Sequence, residues 1–238
     1  MSLFTIIAWI SLGSAFTSAL VIAVDEVRHP QKLWIMNVVW PLTALYFSVV
    51  TLWVYFRVGH RMAQDADKSQ SMEDMKPHNE RGREQSRRNP TWQQTAVGDT
   101  HCGAGCVLGD IIAEFSIFGL GLVLLGQSIY AEYVGDLVLA WLFGIIFQYF
   151  AIKPMRNLAP GQAFIAAIKS DTLAILTFEI GLFTWMGIVY FVLFPHPHLT
   201  PNRPTYWFMM QIGMVLGFFT SYPMNGWLIR KGWKEIMG

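Results

Sequence analysis

From Leu3 to Val24 the chain carries no charged side chain. About 20 apolar residues are enough to cross a bilayer as a helix, and inside a bilayer only helices and closed barrels satisfy their own backbone hydrogen bonds. Five further apolar stretches follow, so the sequence predicts spans at about 3–24, 34–56, 104–126, 130–152, 172–194 and 206–229. The expected fold class is all-α, an integral membrane helical bundle with about six transmembrane helices. The opening stretch lacks the basic start of a secretory signal, so it reads as a retained first span. Only 14% of residues are charged, against about 25% in soluble domains. Ten Trp and eight Tyr suit interfacial aromatic belts. A net charge of +1 gives no reason to expect nucleic acid as a partner; the expected partners are the lipid bilayer, a metal ion, and a second copy or another membrane protein.

Most charges fall between the spans and divide the chain into three parts. Residues 1–56 read as an N-terminal transmembrane hairpin, 57–91 as a disordered cytoplasmic linker, and 92–238 as a four-helix membrane domain. Asp65 to Arg88 is almost free of large apolar residues, and such a segment cannot bury enough surface to offset its ordering entropy. Its Arg81–Arg88 part suits a solvated linker first and a lipid-headgroup contact second. A short interfacial helix is expected to start at Pro90-Thr91-Trp92, a minimal turn at Gly126-Gln127-Ser128, and a short surface helix at Ala163–Lys169. The Pro-rich loop Phe194–Pro201 excludes helix.

Orientation follows from Lys and Arg. Six spans place both termini on one face, and fourteen of the 17 basic residues fall there, leaving Arg28, Lys32 and Arg203 opposite. The expected location is a bacterial cytoplasmic (inner) membrane with both termini cytoplasmic.

Chemistry concentrates on one stretch. Cys102, Cys106, Asp110 and Glu114 recur every four residues, so neighbours in the series share a helix face. The series covers about 18 Å of helix, too long for one ion. It divides into a thiol end with His101, Cys102 and Cys106 and a carboxylate end with Asp110 and Glu114. Two thiols at i and i+4 suit a soft ion such as Cu(I) or Zn(II), with Met224, Asn225 or Asp171 at a depth to complete the site. Two cysteines cannot build a disulfide framework. The opposing reading is packing: Gly103, Gly105 and Gly109 let membrane helices approach closely, and a buried Cys is a small packing residue. Ionisable groups within a span face the protein interior and point to function by default, which singles out Asp110, Glu114 and Glu179, with Asp136 on the outer side of the fourth span. Here the opposing reading is a protonated carboxyl fastening two helices. No phosphate-binding loop, nucleophile elbow or facing histidine pair is present, so no catalytic or haem-binding residue is expected and the pattern points away from an enzyme.

His101-Cys102-Gly103-Ala104-Gly105-Cys106, with Gly109-Asp110 and the later Ser221-Tyr222-Pro223-Met224-Asn225, resembles the bacterial membrane family known as domain of unknown function 4396 over about residues 92–238. Trp34-Ile35-Met36-Asn37-Val38-Val39-Trp40-Pro41 is similar to the leader of its longer members. The resemblance implies a multi-pass membrane protein, carries copper-related naming, and puts most weight on His101, Cys102 and Asp110. The reading that follows is a copper-binding or transport-associated protein, with zinc as the other ion. Its metal ligands would be His101, Cys102, Cys106, Asp110 and Met224, and its polar path Glu114, Asp171, Glu179 and Asn225. The alternatives are a structural or assembly-accessory membrane protein and, third, a thiol-redox enzyme.

Overall fold

A computed structural model describes residues 3–31, 33–59 and 90–236. Most of the expected linker, with Arg81–Arg88, lies outside the described residues. Within them the chain is all-helical: α1 (Leu3–Arg28), α2 (Met36–Phe47), α3 (Val49–Val54, continued by a π-helical turn at Tyr55–Gly59), α4 (Trp92–Leu120), α5 (Ser128–Arg156), α6 (Pro160–Ile188, continued by a π-helical turn at Val189–Leu193) and α7 (Pro204–Arg230). Four of these, α1, α4, α5 and α6 with its π turn, are long and apolar enough to cross a membrane. Helix α7 is as long, at 27 residues, but Tyr, Trp, Pro and Gly residues as well as Gln211, Ser221 and Asn225 dilute its apolar character. Large apolar side chains such as Phe16, Leu20 and Leu120 point outward from the bundle, as a lipid-facing surface requires.

Helix boundaries follow local chemistry. Thr91 and Gln94 form a reciprocal capping box that starts α4 twelve residues before the expected span, so the expected interfacial helix and the span are one rod. Gly121, at φ +63°, ends that rod in the left-handed conformation, and the connection to α5 is the loop 121–127 rather than a turn at Gly126 alone. Pro160 and Pro204 sit in the first turns of α6 and α7, where a missing N–H costs nothing. The expected surface helix at 163–169 is the first part of α6.

The stretch expected to cross once at 34–56 does not run straight. At Ser48, with φ +53°, the backbone reverses, and α3 returns alongside α2. Thr51 Oγ1 donates to the Thr43 carbonyl at 3.3 Å, and the Trp40 and Tyr55 rings meet edge to face at 5.6 Å. A straight helix would hold Trp40 and Tyr55 about 22 Å apart. A reversal at this depth is tolerated only where protein groups satisfy the freed backbone. Gln211 Nε2 of α7 donates to the Leu45 carbonyl at 2.6 Å, Gln211 Oε1 accepts from Ser11, and Ser14 bonds Ser48 at 2.7 Å. The hairpin therefore enters and leaves at one end of the bundle. Tyr55 donates to Asp25 near the end of α1, Gln31 donates to the Gly59 carbonyl, and Trp34 meets Phe150 near the end of α5. At the opposite end Phe4 packs against Phe194. Leu3 and Arg230 thus lie at opposite ends of the bundle, because the second apolar stretch folds back.

The helices α4–α7 pack as an antiparallel group around Cys102, Cys106, Val107, Phe178 and Met214. A side chain at Gly105 would come within 2.6 Å of the Gly144 Cα, and one at Gly109 would overlap the Ala140 backbone. Helices α4 and α5 therefore touch backbone to backbone, as small-residue seams allow. Gly181 and Gly217 bring α6 and α7 together in the same way.

Candidate functional site: two buried polar clusters along one helix

Helix α4 carries the site. Asp99, His101, Cys102, Cys106, Asp110 and Glu114 all lie on it, and all are buried. The four-residue spacing aligns Cys102 to Glu114 on one face, and Asp99 begins the series three residues earlier.

The first cluster sits at the end where residues 231–236 fold back. Ser221 donates to Asp99 Oδ1 at 2.6 Å, and Asn225 Nδ2 donates to the same oxygen. Lys234 Nζ donates to Asp171 Oδ1 and to Asn225 Oδ1, both at 2.6 Å. Asp99, Asp171 and Lys234 are each fully buried. Burial works against the lysine charge, but the neighbouring Asp171 carboxylate outweighs it and holds the Lys234 pKa above the usual lysine value. One oxygen of each carboxylate, Asp99 Oδ2 and Asp171 Oδ2, has no hydrogen-bond partner among the described residues.

The second cluster lies deeper. Asp110 and Glu114 of α4 face Glu179 of α6 and Asp136 of α5, with Tyr206 of α7 beside Glu114. Asp136, expected at the outer side of its span, joins this group. All five are buried, and both oxygens of Asp110 and of Glu179 lack a hydrogen-bond partner among the described residues. The seam between α4 and α5 positions the group, since Gly109 precedes Asp110 and its partner Ala140 lies one turn after Asp136.

The thiols bridge the two clusters. Cys102 and Cys106 are free and fully buried, with Cys106 close to Glu179 and both near the Tyr46 hydroxyl of the hairpin. His101 turns to another side of α4, where its ring lies 6.3 Å from Phe147; neither ring nitrogen has a partner among the described residues. Met224 is half-buried and packs against the apolar core around both cysteines. Among the described residues no group of three or more His, Cys, Asp or Glu side chains is placed to hold one metal ion. The proposed ligands His101, Cys102, Cys106 and Asp110 are thus strung along α4 rather than gathered at a point.

Sequence reasoning does not reach Asp99, Lys234 or Tyr206, and takes Ser221 only as part of a motif. The signal for Asp99 was its place one turn before Cys102, on a helix whose capping box begins at Thr91.

The family described as Domain of unknown function (DUF4396) matches residues 91–234, from the cap of α4 through Lys234. No curated protein and no solved structure matches the chain. The matched stretch holds both buried clusters and leaves out α1–α3, and the chain belongs to this family, Domain of unknown function (DUF4396).

Proposed function

We propose that this chain is an integral membrane protein that binds a cation in its interior and is associated with cation transport. The observation that carries the reading is the set Asp110, Glu114, Asp136 and Glu179, four carboxyl groups from three helices whose oxygens largely lack protein partners. Placing an ionised carboxylate in a low-dielectric interior costs several kcal/mol, so such a set calls for protons or a cation as its missing partner. Copper or zinc is favoured at the thiol end, where Cys102 and Cys106 offer soft donors next to this carboxylate set. Met224, which packs against the core around both cysteines, is the candidate to complete that mouth, with His101 turned toward Phe147 instead, and Glu114, Asp171, Glu179 and Asn225 line the path.

The chain crosses the membrane five times, by α1 and α4–α7, with α2–α3 as a re-entrant hairpin. Of the nine Lys and Arg with described side chains, only Arg203 lies at the Phe194 end. That asymmetry supports a cytoplasmic position for residues 231–236, with Leu3 on the opposite face.

Metal analysis of protein purified without chelators tests the reading. Near-stoichiometric copper or zinc is expected in the wild type, with loss in the Cys102→Ser, Cys106→Ser variant. Equal metal content in the two removes the metal assignment. The accessory reading is favoured by the close seams at Gly105 and Gly109. It expects Asp110→Asn with Glu179→Gln to leave ion flux into proteoliposomes unchanged, whereas the transport reading expects flux to fall at least tenfold.

A further inference from the structure

Lys234 is the only Lys or Arg among the described residues whose side chain is fully buried. The chain leaves α7 through Lys231, turns at Gly232 with φ +70°, and drives the lysine back between α4, α6 and α7. Trp233 packs against the apolar core and stands 5.7 Å from Trp227, and Lys169 lies 4.4 Å over its ring. Arg156 of α5 pairs with Glu235. The return is thus fastened by contacts on either side of Lys234, at the rim of the bundle, while the ammonium sits inside.

The surroundings of Nζ are those of a cation site. It has one carboxylate oxygen and one amide oxygen at 2.6 Å, with the second carboxylate, Asp99, held one hydrogen bond away by Asn225. Two acidic side chains share the pocket with one ammonium, and only Asp171 contacts it directly. The two oxygens left over, Asp99 Oδ2 and Asp171 Oδ2, are buried without a hydrogen-bond partner among the described residues. A divalent ion would balance both carboxylates. The donors are hard oxygens, the set that ions such as Ca²⁺ and Mn²⁺ take.

We propose that Asp99, Asp171 and Asn225 form a binding site for a hard divalent cation, and that Lys234 fills it here as a tethered substitute, so that lysine and free ion exclude each other. This site is separate from the Asp110 set: Asp99 and Asp110 are eleven residues apart, roughly 16 Å along α4. Withdrawal of residues 232–235 would open the site toward the basic end of the bundle.

The test uses the full chain in detergent with Mn²⁺ as the probe. Lys234→Met removes the substitute and keeps its bulk. It should bind one Mn²⁺, detected by electron paramagnetic resonance, at least tenfold more tightly than the wild type, and Lys234→Met with Asp171→Asn should lose that gain. Binding in the single variant no tighter than in the double overturns the proposal. Where Lys234→Met does not fold, the wild type decides: Lys234 acetylation, read by mass spectrometry against exposed Lys231, should rise severalfold on Mn²⁺ titration, and a flat response overturns the proposal. Repeating the labelling in Asp110→Asn, Glu179→Gln separates the two sites. The Mn²⁺ response at Lys234 should persist there whether or not the deeper carboxylates conduct ions.

Discussion

Asn225 illustrates how single residues are tied down in this bundle. Its amide donates to Asp99 and to the Ser221 carbonyl and accepts from Lys234, so one side chain holds two opposite charges in register. Removing one partner of a buried ion pair strands the other, which costs roughly 3–5 kcal/mol. Asp171→Asn should therefore destabilise the protein by about that amount. Adding Lys234→Met should restore part of the loss, because the ammonium is then no longer stranded, while Asp99 keeps its Ser221 and Asn225 donors. A denaturant unfolding cycle in mixed micelles measures this, and additive losses would show that Asp171 and Lys234 are not coupled. At this scale Asn225 and Asp171 are legible in the sequence, from a depth that matches the thiol end of α4. Asp99 and Lys234 are not. Each sits in a polar neighbourhood, Gly98-Asp99-Thr100 and Lys231-Gly232-Trp233-Lys234-Glu235, where a charge ordinarily faces water. Only the cap at Thr91 and the return at Gly232 carry them inside.

At the scale of elements, the fold depends on two kinds of contact that hydropathy does not register. One is the seam between α4 and α5. Gly109→Val should force these helices apart and cost about 1–3 kcal/mol, the usual range for overpacking. Gly13→Val should be nearly neutral by comparison, since a side chain there meets no atom within 4 Å. Thermal unfolding of the two variants in the same detergent checks this, and equal losses would count against the seam. The other contact is the clamp on the α2–α3 hairpin. The run from Val38 to Phe56 carries no charge and reads as one span; Pro41 and Ser48 alone interrupt its character. Its reversal is decided from outside the hairpin, by Gln211, Ser11 and Ser14. A sequence window cannot contain that information, because the partners lie on α1 and α7.

For the whole molecule, one fold-back changes the topology. Six crossings would place Leu3 with Lys231 and His29 with His196. The structure pairs them the other way, with Leu3 at the Phe194 end and His29 at the end shared by Gly59 and Lys231. Cysteines introduced singly at Leu3 and His196 should react with a membrane-impermeant thiol reagent from one side of the membrane. Cysteines at His29 and Lys231 should react from the other. The native cysteines are fully buried and should add little background. Labelling of Leu3→Cys and Lys231→Cys from the same side would restore the six-crossing topology.

By itself the sequence determined the helical class, the four long apolar helices, the family and the alignment of cysteines and carboxylates along α4. All of these are local properties: apolar length, four-residue spacing and motif order act within one helix or one stretch. Only the tertiary structure decided that the second apolar stretch turns back and that Asp136 meets Glu114. It likewise decided that Lys234 enters the bundle to face Asp171. Those outcomes depend on which atoms from distant helices stand ready to satisfy a freed carbonyl or a buried charge, and a low-dielectric interior leaves few alternatives once the partners are in place.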